Sequence, residues 1–330
     1  MNITVMGAGA WGTALAVHFS QHAHAVSLWT HTDEHAAQLR QDRANRLYLP
    51  DFTFPDSLVI DTEVKPADLI IIATPMSALR ESAVRLQDCG LADTPILAAC
   101  KGFEQETGLL PHQVLQEVLL HNRCIGVLSG PSFAQELAQQ LPCAITLASN
   151  NVFWAEEAAA RLNSRVLRLY ANADVIGAAV GGAVKNVMAI ATGIADGLAC
   201  GMNARAALIT RGLAEITRLA LAMGAQATTL MGLAGMGDLI LTCTGSLSRN
   251  RKVGLLLVEG KDLPSILQEL GHVAEGIYTI EETVRQARLL NVDMPITTVL
   301  HQLLHEQIDV SAVAECLMER EPKTEKVERC

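Results

Sequence analysis

Four groups of residues in this chain have types and spacings that could do chemistry. Lys185 stands inside GGAVKNVMAIATGIADG, residues 181–197, where Ala183, Val187, Ile190 and Ile194 recur at helical spacing. A lysine in a buried helix needs a partner or a job. Burial lowers its pKa toward the range where it can trade a proton at neutral pH; a lysine near a helix end can instead reach out to water. Lys101 follows the apolar run Pro95–Ala99 in Cys100-Lys101-Gly102. Ligands in α/β sheets bind at such strand ends, although a surface lysine could occupy the same place. Asp238 follows Ala234-Gly235-Met236-Gly237. It reads either as a carboxylate on a tight turn near a ligand or as the N-cap of a helix from Leu239. Ser248-Arg249-Asn250 offers a hydroxyl, a guanidinium fork and an amide. That set suits a phosphate better than a lysine point charge does, and a charged surface loop would look the same.

Other elements must position these groups. Ile3 to Met6 is a short apolar strand, followed by Gly7-Ala8-Gly9-Ala10-Trp11-Gly12, a helix over about Thr13 to Gln21, and a strand at Ala25–Trp29. In that setting GxGxxG is a dinucleotide signature. Gly7 permits the tight turn, Gly9 lets the backbone approach a pyrophosphate, and Gly12 lets the helix pack on the strand. The phosphates would rest on the helix N-terminus. NAD-specific sites place a carboxylate at the end of the second strand. Here Trp29-Thr30-His31-Thr32-Asp33 has none directly at that end. His31 could face a 2′-phosphate, which leans toward NADP or dual use; a solvated loop histidine is the other reading.

Further strands are expected at Asp68–Ala73, Pro95–Ala99, Cys124–Leu128, Cys143–Ala148 and Val166–Leu169, with residues 33–57 a helix and a surface connection. Ser132, in Ser129-Gly130-Pro131-Ser132, could cap the next helix or hold a substrate oxygen. From about Asp174 the alternation gives way to helices alone. This predicts an α/β domain over 1–174 and a helical domain over 175–330, with helices near 204–223, 264–270, 275–290, 295–306 and 311–319.

At 330 residues, two domains are the default. Half of the residues are hydrophobic and only 4% aromatic, so the core must be aliphatic, as suits helices on a parallel sheet. The formal charge of −10 argues against general nucleic-acid binding. The cysteines at 89, 100, 124, 143, 200, 243, 316 and 330 form no CxxC pair and read as free thiols in a reducing compartment. No metal is expected. The chain opens on a strand with no signal peptide ahead of it, and no uninterrupted apolar run reaches the roughly 18–20 residues of a membrane span. A soluble cytoplasmic protein is the expectation.

Several segments together resemble the bacterial type of NAD(P)-dependent glycerol-3-phosphate dehydrogenase. They are GAGAWGTALA (7–16), CKGFE (100–104), LSGPSFAQEL (128–137), GAVKNVMAIATGIADGL (182–198), LAGMGDLILTCTGSLSRNRKVG (233–254), AEGI (274–277) and MPI (294–296), in family order over nearly the whole chain. The resemblance implies an N-terminal Rossmann domain with a C-terminal all-helical domain, often as a homodimer. It implies reversible reduction of dihydroxyacetone phosphate to sn-glycerol 3-phosphate with NADPH or NADH, feeding phospholipid synthesis. Lys185 would be the general acid/base. Lys101 would face both substrate and nicotinamide. Gly130, Ser132, Asp238, Ser248, Arg249 and Asn250 would bind substrate. Gly7, Gly9, Ala10, Trp11, Gly12, His31, Ala134, Arg249, Val273 and Glu275 would line the dinucleotide site. Two positions depart from the family. Ala10 stands where Ser is common, which removes a hydroxyl from the pyrophosphate. His31 stands where Arg is common, and neutral imidazole grips a 2′-phosphate less well. A 3-hydroxyacid or 6-phosphogluconate type of dehydrogenase shares the architecture, and a non-catalytic dinucleotide sensor would share the glycine loop. The SRNR string and the GMGD turn favour a phosphorylated triose over the former. A sensor would need neither Lys185 nor Asp238.

Overall fold

The computed structural model describes residues 1–270, 275–305 and 308–318. The strands in chain order are β1 (Asn2–Met6), β2 (Ala25–Trp29), β3 (Ala44–Asn45), β4 (Leu49–Thr53), β5 (Val59–Asp61), β6 (Leu69–Ile72), β7 (Ile96–Ala98), β8 (Ile125–Ser129), β9 (Cys143–Ser149) and β10 (Leu167–Asn172). Eight of them form one sheet in the order β10-β9-β8-β7-β6-β1-β2-β5, and β3 and β4 form a separate ribbon. Every residue of β6 and β8 is buried. Helices cover both faces, which is why these strands are continuous apolar runs without alternation. The covering helices are α1 (Ala10–Gln21), α2 (Asp33–Asp42), α3 (Leu79–Asp88), α4 (Pro111–Val118), α5 (Ala134–Ala138) and α6 (Val152–Leu162).

From the central β1 the chain moves outward through β2 and β5, then returns to β6 on the other side of β1. The direction of winding therefore switches between β1 and β6, where such sheets bind ligands beyond the carboxyl ends of their strands. The glycine loop follows β1 and Thr74 follows β6, so both stand at that switch point.

Two features differ from the sequence reading. The sheet is parallel from β5 to β8, but β9 pairs with β8 antiparallel, and β10 runs with β9. A parallel return needs a crossover of a dozen or more residues, usually a full helix. The β8–β9 connection holds only the five-residue α5, so the chain turns back. The stretch 33–57 also holds more than a helix and a connection. It contains the β3–β4 ribbon, with β5 directly after it. These strands have two, five and three residues, too short for an alternating pattern to show.

The second half is helical: α7 (Val175–Gly197), α8 (Gly201–Ala222), α9 (Ala227–Leu230), α10 (Asp238–Thr244), α11 (Arg249–Val258), α12 (Leu263–Leu270), α13 (Glu275–Leu289), α14 (Pro295–Leu304) and α15 (Val310–Met318). A π-helical turn, Leu233–Gly237, leads into α10. Asp174 caps α7 by accepting from the Gly177 amide at 2.8 Å. Helix α7 is the axis of this half, buried almost throughout and contacted by α8, α10, α11 and α13. It meets α11 backbone to backbone. A Cβ on Gly193 would lie 2.1 Å from the Arg251 carbonyl oxygen, and one on Gly254 would lie 2.3 Å from that of Ile190. Only glycine permits this approach, and it brings the start of α11 beside the helix that carries Lys185.

By length and mean hydropathy α7 could cross a membrane, although Lys185 and Asp196 interrupt its apolar run; 94% of its apolar window is buried inside the fold. The segment Ala227–Thr244 passes the same test, with 44% of its window buried. The seven cysteines in the described residues are all free; Cys330 lies outside them.

Candidate active site

A cleft of about 970 Å³ runs along the switch point and between the two halves. Gly7, Gly9, Ala10 and Trp11 line one end. Gly7 has φ +108°, and a Cβ there would lie 2.7 Å from the Thr74 amide nitrogen. A Cβ on Gly12 would lie 2.0 Å from the Gly7 carbonyl oxygen. The loop is therefore pressed between β6 and α1 by contacts no side chain allows. Gly9 differs: nothing lies within 4 Å of its Cβ position. It is the N-cap of α1 and offers no side-chain cap, so the first amides of α1 face the cleft. Thr74 Oγ1 is buried in the cleft wall without a hydrogen-bond partner among the described residues. An uncapped helix N-terminus, an open glycine and an orphaned hydroxyl fit a dinucleotide pyrophosphate and ribose.

His31 lies at the outer end of the cleft, exposed, with Tyr48 and Arg85 nearby. The Arg85 guanidinium stacks over Trp29, 5.3 Å from the ring centroid. Tyr48 and Arg85 were not singled out in the sequence, where neither belongs to a motif.

Lys101, Asp238 and Lys185 meet at the other end. Lys185 is 8% exposed and Asp238 0%. Lys185 Nζ donates to Asp238 Oδ1, and Lys101 Nζ donates to Asp238 Oδ2 at 2.7 Å. The Gly130 amide donates to the same Oδ2 at 3.3 Å. Lys101 also reaches the Gly130 carbonyl at 3.3 Å and Ser132 Oγ at 3.5 Å. Burial raises the Asp238 carboxyl, but the two lysines outweigh it and hold the pKa below the usual carboxylate range. Burial pulls Lys185 down to about 8; Asp238 opposes the shift and Lys101 adds to it. The arrangement keeps an ammonium ready to give up its proton near neutral pH.

The open roles of three residues resolve in the geometry. Asp238 is the first residue of α10 and makes no side-chain cap; its carboxylate goes to the lysines. Ser132 is not a cap either, and its hydroxyl donates to the Gly130 carbonyl at 2.8 Å. Ser248 does cap α11, accepting from the Arg251 amide at 3.3 Å, which leaves its O–H to donate elsewhere.

Arg249 and Asn250 open α11 and line the cleft with Ser248. Asn250 Oδ1 accepts from the Gly276 amide at 3.2 Å, so its NH₂ is the group left for a ligand. A guanidinium at the N-terminus of a helix makes an anion site. Glu275 begins α13 and accepts from the Met76 amide at 3.4 Å. Burial raises its pKa, against that amide and the charges of Arg249, Lys101 and Lys185. Ala134 and Lys101 also line the cleft. Gly12, Gly130 and Asp238 stand behind its wall rather than on it. Val273 lies outside the described residues. Asn186 and Thr242, both buried, line the cleft as well and are absent from the sequence reading. Each had a signal: Asn186 is a second polar residue in the apolar helix, and Thr242 stands one turn after Asp238.

Two family descriptions match this chain: the NAD-dependent glycerol-3-phosphate dehydrogenase N-terminus over residues 2–155 and the C-terminus over 174–315. The chain belongs to this family. A glycerol-3-phosphate dehydrogenase [NAD(P)+] of Neisseria meningitidis is 59% identical over 98% of this chain and 100% of its own length. One from Dechloromonas aromatica is 52% identical over 98% and 99%. The crystal structure of glycerol-3-phosphate dehydrogenase from Coxiella burnetii superposes with a TM-score of 0.92 at 40% identity, covering 97% of this chain and 99% of that one. D-mandelate dehydrogenase shares the fold at 17% identity, with a TM-score of 0.61.

Proposed function

We propose that this protein reduces dihydroxyacetone phosphate to sn-glycerol 3-phosphate, reversibly, with NADH or NADPH. The observation that carries the reading is the Lys101–Asp238–Lys185 cluster, which opens onto the same cleft as the glycine loop and the start of α11. A nicotinamide dinucleotide held in this cleft would supply the hydride chemistry at the substrate C2. Gly7, Gly9, Ala10, Trp11 and Gly12 would hold the pyrophosphate of such a cofactor, and His31 would face its adenosine ribose. Glu275, at the start of α13, and Ala134 line the same cleft, and the resemblance adds Val273 to the dinucleotide site. Arg249, with Ser248 and Asn250, holds the substrate phosphate and places C2 near the lysines. Lys185 delivers a proton to the developing C2 alkoxide, and Asp238 keeps its ammonium oriented. Lys101, with Gly130 and Ser132 behind it, adds positive charge where the oxyanion forms.

The chain divides functionally into a cofactor domain, 1–174, and a helical substrate domain, 175–330. Neither long apolar segment is a membrane span in this reading, and α7 serves as the core of the helical half. Following the family resemblance, the protein is a cytoplasmic homodimer supplying glycerol phosphate to phospholipid synthesis, and its acidic charge suits no nucleic-acid partner. The buried Lys185–Asp238 pair argues against a sensor without chemistry, which would gain nothing from charges so costly to bury. The test is consumption of NADH or NADPH by purified protein with dihydroxyacetone phosphate, with the product assayed. One sn-glycerol 3-phosphate formed per cofactor oxidised supports the reading. No turnover in folded protein overturns it.

A further inference from the structure

Outside the cleft lining, two helices of the second half bring three metal-ligating groups together. His301 lies in the last turn of α14 and His305 is the residue that ends it. Their spacing of four puts both rings on one face of the helix, and the ring centroids are 4.3 Å apart. Glu281 projects from the neighbouring α13. Its Oε2 lies 3.3 Å from His301 Nε2 and 3.0 Å from His305 Nε2. All three ligand atoms lie within 4.8 Å of one another.

We propose that Glu281, His301 and His305 form a site for a borderline divalent transition-metal ion, Zn²⁺ foremost. The geometry carries the inference. A tetrahedral ion with bonds of about 2.0–2.1 Å sets its ligand atoms about 3.3 Å apart. The two observed N···O separations already match that edge length, so the ion could enter with small side-chain rotations. Two imidazoles and one carboxylate are the donor set such ions favour over Mg²⁺ or Ca²⁺. Histidines four apart on one helix face are a recurring zinc-binding pair. Each neutral imidazole in its Nδ1–H form presents a lone pair at Nε2, the atom already turned toward Glu281. As His301 is largely covered while Glu281 and His305 are exposed, the site opens to solvent and leaves a position for water. The ion would tie α13 to α14. Because α13 begins at Glu275 in the cleft, it would also stiffen the helix that closes one wall of the active site.

The site stands independently of the dehydrogenase reading. The test uses the whole, metal-stripped protein with Zn²⁺ alone, and with Co²⁺ as a spectroscopic stand-in. The expected result is one ion per chain, visible ligand-field bands of four-coordinate Co²⁺, and a higher Tm with Zn²⁺. His301→Gln, His305→Gln and Glu281→Gln should each weaken binding by roughly 10-fold or more, by loss of a ligand, and cancel the Tm shift. Their NADH oxidation without metal should match the parent, which shows that the variants fold. Undiminished Zn²⁺ affinity in the histidine variants would overturn the proposal. So would thiolate-to-cobalt charge transfer, which would place the ion on a cysteine. Failure of the parent to bind would show an ion pair only.

Discussion

Lys185 and Asp238 form an ion pair across 53 residues of sequence, and neither partner is more than 8% exposed. A buried pair of this kind contributes little net stability, because removing two charges from water costs about as much as their attraction returns. Its value lies in what it does to the proton on Lys185. Burial lowers the ammonium pKa, Asp238 keeps it from falling further, and the result sits near 8.

Lys185→Ala should lower kcat by roughly 100-fold or more, the usual contribution of a general acid. KM for the triose phosphate should change much less, because Arg249 and Asn250 remain. Asp238 keeps Lys101 as a partner, so the variant should fold. Steady-state kinetics decides the point, and near-normal kcat would remove Lys185 from the chemistry.

The pH dependence follows from the same shift. Reduction needs the protonated ammonium, so its kcat should fall as pH rises through about 8; oxidation of glycerol phosphate should rise across the same range. The sign for stability is the reverse of an ordinary ion-paired lysine. The folded pKa lies below the ordinary lysine value of 10.5, so the unfolded chain binds more protons between about 8 and 10.5, and this group's contribution to stability improves as pH climbs through that window.

Asp238→Asn should separate two effects. It leaves two ammonium groups facing one another in the interior, and urea melts should show a loss of roughly 3–5 kcal/mol. In the protein that still folds, the fall in kcat should move to lower pH, because Asp238 is the group that raises the Lys185 pKa. An unmoved profile would assign the pH dependence to another group.

Arg249→Ala should raise KM for the phosphorylated substrate by roughly 10- to 100-fold with little change in kcat, the worth of a hydrogen bond to a charged group. An unchanged KM would place the phosphate elsewhere than the start of α11.

His31→Arg should lower KM for NADPH by roughly 10-fold and leave NADH nearly unchanged, since a guanidinium forms a charge-assisted pair with the 2′-phosphate that a neutral imidazole cannot. Equal effects on both cofactors would move the 2′ position away from residue 31.

Much of this site was legible in the chain. The glycine spacing placed the cofactor end because each glycine there answers a separate local steric demand, and local demands show in local sequence. Lys185 was legible as the one lysine in a small-residue helix. The clasp was not. Asp238 lies 137 residues from Lys101, and only the packing of two domains makes one carboxylate serve both lysines. Ser248 reads as a donor in the sequence, yet it also caps α11, a role settled by where that helix begins. The reversal of β9 was hidden because a strand's apolar run carries no sign of its direction.

The central claim is that the cleft acts on a phosphorylated triose through the grip at the start of α11. The most direct test compares kcat/KM for dihydroxyacetone phosphate with that for dihydroxyacetone, using NADH and NADPH in turn. The account predicts a preference for the phosphorylated ketone of roughly 1,000-fold or more, because a site built for a charged group is left with unpaired donors without it. Comparable turnover of the two ketones, or turnover of neither, would contradict it.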